Sequence, residues 1–549
     1  MDLLERLAER ESRKRHTAAS ESDRKRLGAF LTVVVVFAVV FTAGMIYVSK
    51  SNTIYFWDDS TYWDMGRAVA DGDLKGDFLR KVYDSIGTDD YNYLAALPSA
   101  AWMTLFGQSR VSYVAGLLIM YVLPFFVLVY SLAKKLSKAP RFAFAASVFM
   151  IPATAFLAFS GFVDVGGLLI IAACYNLYYT RDGTANEIWR YIVIGILLVL
   201  LMVFRKYFAF FSVSFLTAMA MDCILFKRKW RNLIAAGASA AILLCTVFMP
   251  FLTGILLKNY VALYEGYSYS VGTDMRLITR YFGMILPLLL FIVPFASAAR
   301  RQEYRPIFAW IQMLVCALMF MATQTHGQQH LTMYIPSLTV LVLFLTNVIS
   351  KQWMLIAVCL LACVNSVNTY IPREQPGNIQ DIDHMALIPD FSMLPKHRED
   401  TEAVLALKRD LDRAVPEGKH CGVLSSSFLL NDSILRNVEP SIRAGITRDP
   451  DYIVGLPEVD SRDSGRLEEL YTADYILVAS PAQTHLAAGE QTIVDEAVAS
   501  FENGTDIAES FAEVAGFARE LDGFTVRLYE RVDDVGLYQR SLFEPRLFY

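Results

Sequence analysis

Cysteine is scarce in this chain and poorly placed for cross-linking. Six of the seven, Cys174, Cys223, Cys245, Cys316, Cys359 and Cys363, lie in apolar runs, and Cys421 stands alone in the polar C-terminal third. An isolated thiol makes no internal disulfide, so no disulfide framework is implied. All seven read as small buried hydrophobes. Cys359 and Cys363 fall four apart on one helix face, but no histidine or carboxylate stands beside them to complete a metal site. A Walker A motif is missing, as is a GxGxxG between a strand and a helix, so neither phosphate-cradling device is present. Residues 372–549 hold no hydrophobic run long enough to cross a bilayer.

What is present is apolar and unevenly charged. Hydrophobic residues make up 55% of the 549, too many for an ordinary soluble protein. From about residue 28 to 370, runs able to cross a hydrocarbon layer of about 30 Å follow one another. Residues 372–549 carry 17 Lys and Arg against 33 Asp and Glu, a net charge of −16, which leaves +11 for residues 1–371. A near-neutral total therefore hides a basic membrane part and an acidic soluble part. Nothing in this balance points to nucleic acid.

The run LGAFLTVVVVFAVVFTAGMIY, 28–48, follows a charged, net basic stretch over residues 1–27. It is longer than a signal-peptide core and has no small-residue cleavage site, so it reads as an uncleaved anchor with the N-terminus in the cytoplasm. Further candidate spans are 111–133, 141–160, 165–180, 189–204, 207–226, 232–255, 281–298, 306–323, 331–349 and 352–370. Basic clusters mark alternate ends: KKLSKAPR, RDGTANEIWR, KRKWR, RRQEYR and Lys351. Eleven crossings reproduce that alternation and put residues 372–549 outside. The apolar stretch 94–106 is short and reads as a re-entrant or interfacial helix. The expected organisation is a basic cytoplasmic segment over 1–27, an α-helical polytopic membrane domain over 28–371 with an outer loop at 49–110, and an extracytoplasmic α/β domain over 372–549.

Five features gather on the outer face. Trp57-Asp58-Asp59 leaves the first span. It reads either as interface aromatics with solvated acids or as a general base whose pKa is raised among aromatics. Asp164, in SGFVDVGGLL, sits in a very short loop between two spans, where a carboxylate is expensive. Arg205-Lys206 interrupts the apolar stretch 189–226, against the positive-inside trend. Two readings stand: snorkelling to headgroups, or a clamp for phosphate. In THGQQHLTMYIP, His326 and His330 are four apart, a weak metal signal; His330 alone suits an anion near a helix start. The loop 256–280 is rich in tyrosine and carries Arg276 and Arg280, as a sugar-binding surface or an interface belt would.

These residues resemble the polytopic GT-C class of membrane glycosyltransferases, in particular the branch of protein O-mannosyltransferases and the bacterial aminoarabinose transferase. In DDSTYWDMGRAV, Asp58 matches the family's catalytic Asp, Asp59 its partner acid, and Tyr62 and Arg67 the trailing positions. Asp164 fits the second family acid, Lys206 a basic position opening a span, and His330 before Tyr334-Ile335-Pro336 a late basic position. The family's His-Pro-Pro is replaced by Asp89-Asp90-Tyr91-Asn92-Tyr93. The resemblance implies a GT-C-like fold, a polyprenyl-phosphate-linked sugar donor and a hydroxyl acceptor on a glycan, lipid or protein. It implies catalytic roles for Asp58, Asp59 and Asp164, donor-phosphate binding by Arg205, Lys206 and His330, and acceptor or sugar binding by Tyr62, Arg67, Tyr91 and Asn92.

Elementary chemistry agrees with that donor. Nucleotide sugars are scarce outside the cytoplasm, so sugar arrives there on a membrane lipid. A polyprenyl phosphate is already a stable leaving anion, so one base suffices and Asp58 is the choice. A single carboxylate base with no enzyme nucleophile predicts inversion. Asp59 and Asp164 would place the acceptor or hold a divalent ion, if one is used; no other cofactor is implied. In the tail, 420–426, 474–480 and 524–531 read as strands, and 401–415 and 491–503 as helices. Asn431 and Asn503 open glycosylation sequons by pattern only. A transporter or flippase would need ionisable residues at mid-membrane and usually internal repeats, which are not seen. An envelope polysaccharide polymerase or ligase would share donor and topology, but would usually lack the early acidic pair.

Overall fold

The computed structural model describes residues 2–72, 76–88, 91–180, 187–263, 265–349, 351–373, 381–442, 445–456, 468–486 and 489–536. Three helices are long and apolar enough to cross a membrane: Arg26–Lys50 (the apolar part of the helix Asp2–Lys50), Arg110–Leu136 and Lys206–Phe226. Three bent pairs qualify when each is taken together: Pro140–Met150 with Ala153–Phe159, Trp230–Thr246 with Met249–Leu257, and Val271–Phe282 with Ile285–Arg300. The 58° bend falls at Ile151–Pro152 and the 93° bend at Val247–Phe248, just ahead of Pro250 in the first turn of the second helix; neither proline can donate to the preceding turn. Shorter apolar helices cover Tyr93–Phe106, Val165–Tyr178, Ile188–Phe204, Arg305–Met321, Ile335–Val348 and Gln352–Asn368. Each of the eleven expected spans thus falls on a helix or bent pair, but among the described residues length and composition qualify three, or up to six with each bent pair taken as one span.

Side chains such as Phe30, Val35, Ile242, Leu256, Phe291, Ile292, Leu318 and Leu360 stand exposed around the helices. A belt of this kind suits hydrocarbon as its solvent. The cysteine reading needs correction in part. Cys174, Cys223, Cys316 and Cys421 are buried, but Cys245, Cys359 and Cys363 are exposed on their helices. The short helix Tyr93–Phe106 buries Ala95, Ala96, Ser99, Ala100 and Met103. It packs on the helix Asp58–Asp71, and small residues at its contact face allow the close approach.

The C-terminal part is built on a five-stranded mixed sheet. Its strands are β1 (Cys421–Leu424), β2 (Ile453–Gly455), β3 (Tyr475–Ser480), β4 (Phe511–Leu521) and β5 (Phe524–Arg531), in the order β2-β1-β3-β5-β4. β1 runs parallel to β2 and β3; β5 is antiparallel to β3 and β4. Helices Thr401–Ala414 and Asp432–Ser441 cover one face through Val404, Leu411, Ile434 and Val438. Thr492–Asn503 covers the other through Ile493, Ala497 and Phe501. β3 is covered on both faces, which explains its unbroken apolar run YILVA. The three expected strands and two expected helices are all present, and β2 and β4 are additional.

This unit grips the extended segment that leaves the first long helix. Asn52 N–H donates to Lys396 O (3.1 Å), and Tyr55 N–H and Trp57 N–H donate to Ser441 Oγ (3.1 Å) and Ser433 Oγ (3.0 Å). Sidedness is directly testable by labelling single cysteines with an impermeant thiol reagent, in a background without the native ones. Ser268→Cys and Asp522→Cys, both at exposed positions, are expected to label in intact cells, and Lys138→Cys only after permeabilisation. Protection of Asp522→Cys alongside labelling of Ser268→Cys would place the sheet on the cytoplasmic side and refute the orientation.

Candidate active site

Trp57, with φ 49°, is one of the described non-glycine residues in the left-handed region. That turn starts the helix Asp58–Asp71 and puts two acids in its first turn, where the helix dipole favours negative charge. The same turn aims Asp58 inward. Its Oδ2 accepts from Arg205 Nη2 (3.1 Å) and Gln329 Nε2 (3.2 Å), and its Oδ1 accepts from the Tyr91 hydroxyl. The carboxylate keeps 19% of its side-chain exposure, so a substrate can reach it.

Arg205 joins two acids. It ends the helix Ile188–Phe204 in an extended conformation and turns back into the bundle. Its Nε lies 3.1 Å from Asp164 Oδ1, and its Nη1 donates to Tyr62 Oη (3.2 Å). The guanidinium also lies over the rings of Tyr62, Tyr91 and Tyr207, 5.0–5.7 Å from their centroids, each a cation–π contact. Asp164 is fully buried, accepts from Tyr207 Oη (2.7 Å), and has no hydrogen-bond partner for Oδ2 among the described residues. Two glycines make room for this. Gly161, at φ +94°, would place a Cβ 2.9 Å from Tyr55 Oη, and a Cβ on Gly167 would sit 2.2 Å from the Phe208 ring. Side chains there would push the Asp164 loop away from the turn that carries Arg205.

Asp59 lies beside this network. Burial pushes its carboxyl up to about 7, against the pull of Lys396, and the neighbouring Asp58 adds to the rise. Lys396 comes from the chain leading to the sheet, with its Nζ over the Phe156 ring (5.6 Å). Burial holds its ammonium below the usual lysine range, and Asp59 opposes that.

The remaining expected residues are spread out. Lys206 begins the 3-10 turn Lys206–Phe208, half-buried, next to Arg205. His330 Nδ1 accepts from Gly327 N–H (2.8 Å), which leaves Nε2 as the protonated nitrogen in the neutral ring. Burial holds it well below the usual histidine range, so the ring is neutral. Residues 328–333 form a 3-10 rather than an α-helix, so the two histidines do not share a face. His326 is instead buried between Asp274 (2.7 Å) and Tyr334 (2.5 Å). Tyr62 and Tyr91 join the cluster. Asn92 does not: it donates to Val203 O (2.8 Å). Arg67 is engaged by Asp64 on its own helix (3.1 Å). Asp89 and Asp90 lie outside the described residues.

Sequence reading passed over Tyr207, Gln329 and Lys396. A divalent ion fits the arrangement poorly. The Arg205 guanidinium already bridges the two carboxylates, and no group of three His, Cys, Asp or Glu side chains suited to a metal occurs among the described residues.

No family model matches the chain, and no curated protein matches its sequence. Solved structures do match. ArnT, the aminoarabinose transferase of Cupriavidus metallidurans, aligns in its apo state with TM-score 0.57 and 11% identity, over 91% of this chain and 98% of that one. The same protein bound to undecaprenyl phosphate aligns with TM-score 0.53 and 11% identity, over 92% and 99%. The oligosaccharyltransferase AglB of Archaeoglobus fulgidus, in complex with an inhibitory peptide and a dolichol-phosphate, gives TM-score 0.44 and 12% identity, over 82% and 69%. The resemblance read from the sequence thus holds at the level of the fold: this chain and ArnT share one architecture along nearly their whole lengths.

Proposed function

We propose that this chain is an inverting glycosyltransferase. It would move a sugar from a polyprenyl-phosphate carrier to a hydroxyl acceptor on the outer face of the membrane. The observation that carries the reading is the Asp58–Arg205–Asp164 bridge at the outer ends of apolar helices, in a fold shared with a protein solved with undecaprenyl phosphate. Asp58 takes the proton from the acceptor hydroxyl. The acceptor oxygen bonds to the anomeric carbon as the carbon–oxygen bond to phosphate breaks, and the bonding electrons leave on the phosphate. Base catalysis of this kind is worth about 10²–10⁴-fold. Arg205 holds Asp58 and Asp164 in register. Lys206 and the Nε2–H of His330 stabilise the departing phosphate. Tyr62 and Tyr91 shape the sugar pocket, with Asn92 and Arg67 fixing its walls. The sheet-bearing C-terminal part, 372–549, acts as an extracytoplasmic cap.

Proteoliposomes given undecaprenyl-phosphate sugars and the envelope fraction of a deletion strain are expected to release free undecaprenyl phosphate. Mass spectrometry of envelope glycans from that strain should show the acceptor lacking one sugar. No release with any hexose, pentose or aminopentose donor would remove the reading. Lys206→Gln is expected to raise KM for the lipid donor and leave the acceptor KM unchanged; an unchanged donor KM would favour snorkelling.

A second reading exchanges the two acids, favoured by the Asp59 carboxyl at about 7, where a base works best at neutral pH. In wild type, activity should fall as pH drops below about 7 if Asp59 must be ionised. Asp59→Asn then decides the matter. Retained activity with the acid limb moved downward leaves Asp58 as the base, whereas loss of activity at every pH transfers the role to Asp59.

A further inference from the structure

A second site lies at the opposite ends of the helices that carry Asp164 and Arg205. The helices Val165–Tyr178, Ile188–Phe204 and Ala209–Phe226 are 14–18 residues long, so their far ends stand roughly 20–27 Å from the acidic cluster. There they meet the ends of three more, Trp230–Thr246, Ile285–Arg301 and Arg305–Met321, around a cavity of about 590 Å3. With the N-terminus inside, this is the cytoplasmic face.

Two independent features of the cavity ask for a ligand. Asn232 lines it, is only 6% exposed, and its Oδ1 has no hydrogen-bond partner among the described residues. A buried amide left unpaired is costly and wants a donor. Beside it, Arg228 and Lys229 are each 54% exposed, with Lys229 Nζ 3.0 Å from Glu187 Oε2. Arg228 Nε lies 3.5 Å from Asp222 Oδ2, and more than half of the side chain is open to solvent. Asp222 is held by the Tyr178 hydroxyl, and the Tyr178 ring stacks on Phe308 at 3.8 Å as an apolar wall. The backbone is also unusual here. Lys227 and Gln302, at φ 52° and 51°, cap the helices ending at Phe226 and Arg301 in the left-handed region, where glycine is the ordinary choice. Outliers of this kind gather at functional sites. Trp189, Trp230 and Tyr304 are exposed close by, at the depth where aromatic rings mark the headgroup layer, and Ile224 and Leu225 are exposed beside Asp222.

We propose that this cavity binds the headgroup of an inner-leaflet phospholipid whose phosphodiester carries a hydrogen-bond donor, an ammonium or a hydroxyl. The phosphate lies against Arg228 and Lys229, as basic pockets between membrane helices take phosphorylated headgroups. The donor reaches Asn232 Oδ1, and the acyl chains run along Ile224 and Leu225. A choline headgroup offers phosphate but no donor, so it is disfavoured. The proposal rests on the orientation given above and not on the transfer reaction.

The test uses the full chain, delipidated in detergent and returned to nanodiscs of phosphatidylethanolamine, phosphatidylglycerol or phosphatidylcholine. Hydrogen exchange over 222–232 is expected to slow in the first two and not in the third. Native mass spectrometry should show bound phosphatidylethanolamine or phosphatidylglycerol. Occupancy should fall about tenfold in Arg228→Gln/Lys229→Gln, the worth of one charge-assisted contact. Asn232→Leu should bind choline and ethanolamine lipids alike. Both variants must elute and melt as wild type does without lipid; if one does not, Arg228→Lys, which keeps the charge and loses the fork, replaces it and should lower occupancy in the same sense. Equal protection by phosphatidylcholine in wild type, or full lipid retention in the variants, overturns the proposal. Protection by soluble glycerophosphoethanolamine at matched concentration overturns the lipid assignment, giving the cavity to a free phosphodiester.

Discussion

Asp58→Asn is expected to slow sugar transfer at least about 100-fold while the protein still inserts and folds. The two halves of that expectation have separate causes. Asparagine keeps the size of the side chain but has no basic oxygen to take a proton from the acceptor. Folding survives because Arg205 retains Asp164 at 3.1 Å and Tyr62 at 3.2 Å, so no buried cation is stranded. The measurement is the initial rate of undecaprenyl phosphate release from proteoliposomes at saturating donor. Asp71→Asn, at the far end of the same helix, is the control for a general effect of losing one charge from that helix. A near-normal rate for Asp58→Asn would show that the proton leaves by another route. A poorly folded Asp58→Asn would instead show that its bonds to Arg205, Tyr91 and Gln329 are chiefly structural.

Arg205→Gln should have the largest effect on stability of any single change in the cluster. Removing one partner of a buried ion pair costs about 3–5 kcal/mol, because the other charge stays buried and unpaired. Here the loss strands two carboxylates, one fully buried at Asp164 and one largely buried at Asp58. The pH dependence has a definite sign. Burial already raises the Asp164 carboxyl against the pull of Arg205; without Arg205 it rises further above its unfolded pKa, so the variant is least impaired at low pH and loses stability as pH rises through the raised value. Thermal unfolding in detergent at pH 5 and pH 8 reads this directly, and the gap from wild type should widen at pH 8. Asp164→Asn in the same chain should recover part of the loss. Arg205→Lys should not, because an ammonium cannot span Asp58, Asp164 and Tyr62 as the planar fork does. Melting of Arg205→Gln together with wild type at pH 8 would mean the bridge adds nothing to stability.

The centre of this cluster was legible in sequence because its members are expensive. Asp164 between two spans and Arg205 inside an apolar stretch each break a hydrophobic pattern, and a broken pattern is visible without coordinates. Tyr207 and Gln329 break nothing. An aromatic at a membrane interface and an amide in a polar loop are ordinary there, so their bonds to Asp164 and Asp58 left no trace. Lys396 was hidden for a different reason: it sits in irregular chain that nothing local ties to the acids. Arg67 stands apart from the cluster, since an arginine three residues after Asp64 on one helix face is engaged locally. In the C-terminal part, the covered strand β3 announced itself by its apolar run. β2 has only three residues, and β4 is an edge strand with a register shift between Glu513 and Ala518 around Gly516. Neither shows a clean period of two.

The segment from Asn52 to Ser60 is made early and held late. Its hydrogen-bond partners Lys396, Ser433 and Ser441 lie more than 340 residues further along the chain. At a synthesis rate of about 5–20 residues per second, the segment waits roughly 20–80 s before those partners leave the ribosome. Throughout that interval Trp57 lacks the contact from Ser433 that holds its strained turn, and Asp58 lacks a fixed aim. A nascent chain can therefore carry the apolar helices and both acids before this segment is held in place. Assembly of the candidate site thus waits on residues 396–441, and a product interrupted before them lacks these contacts.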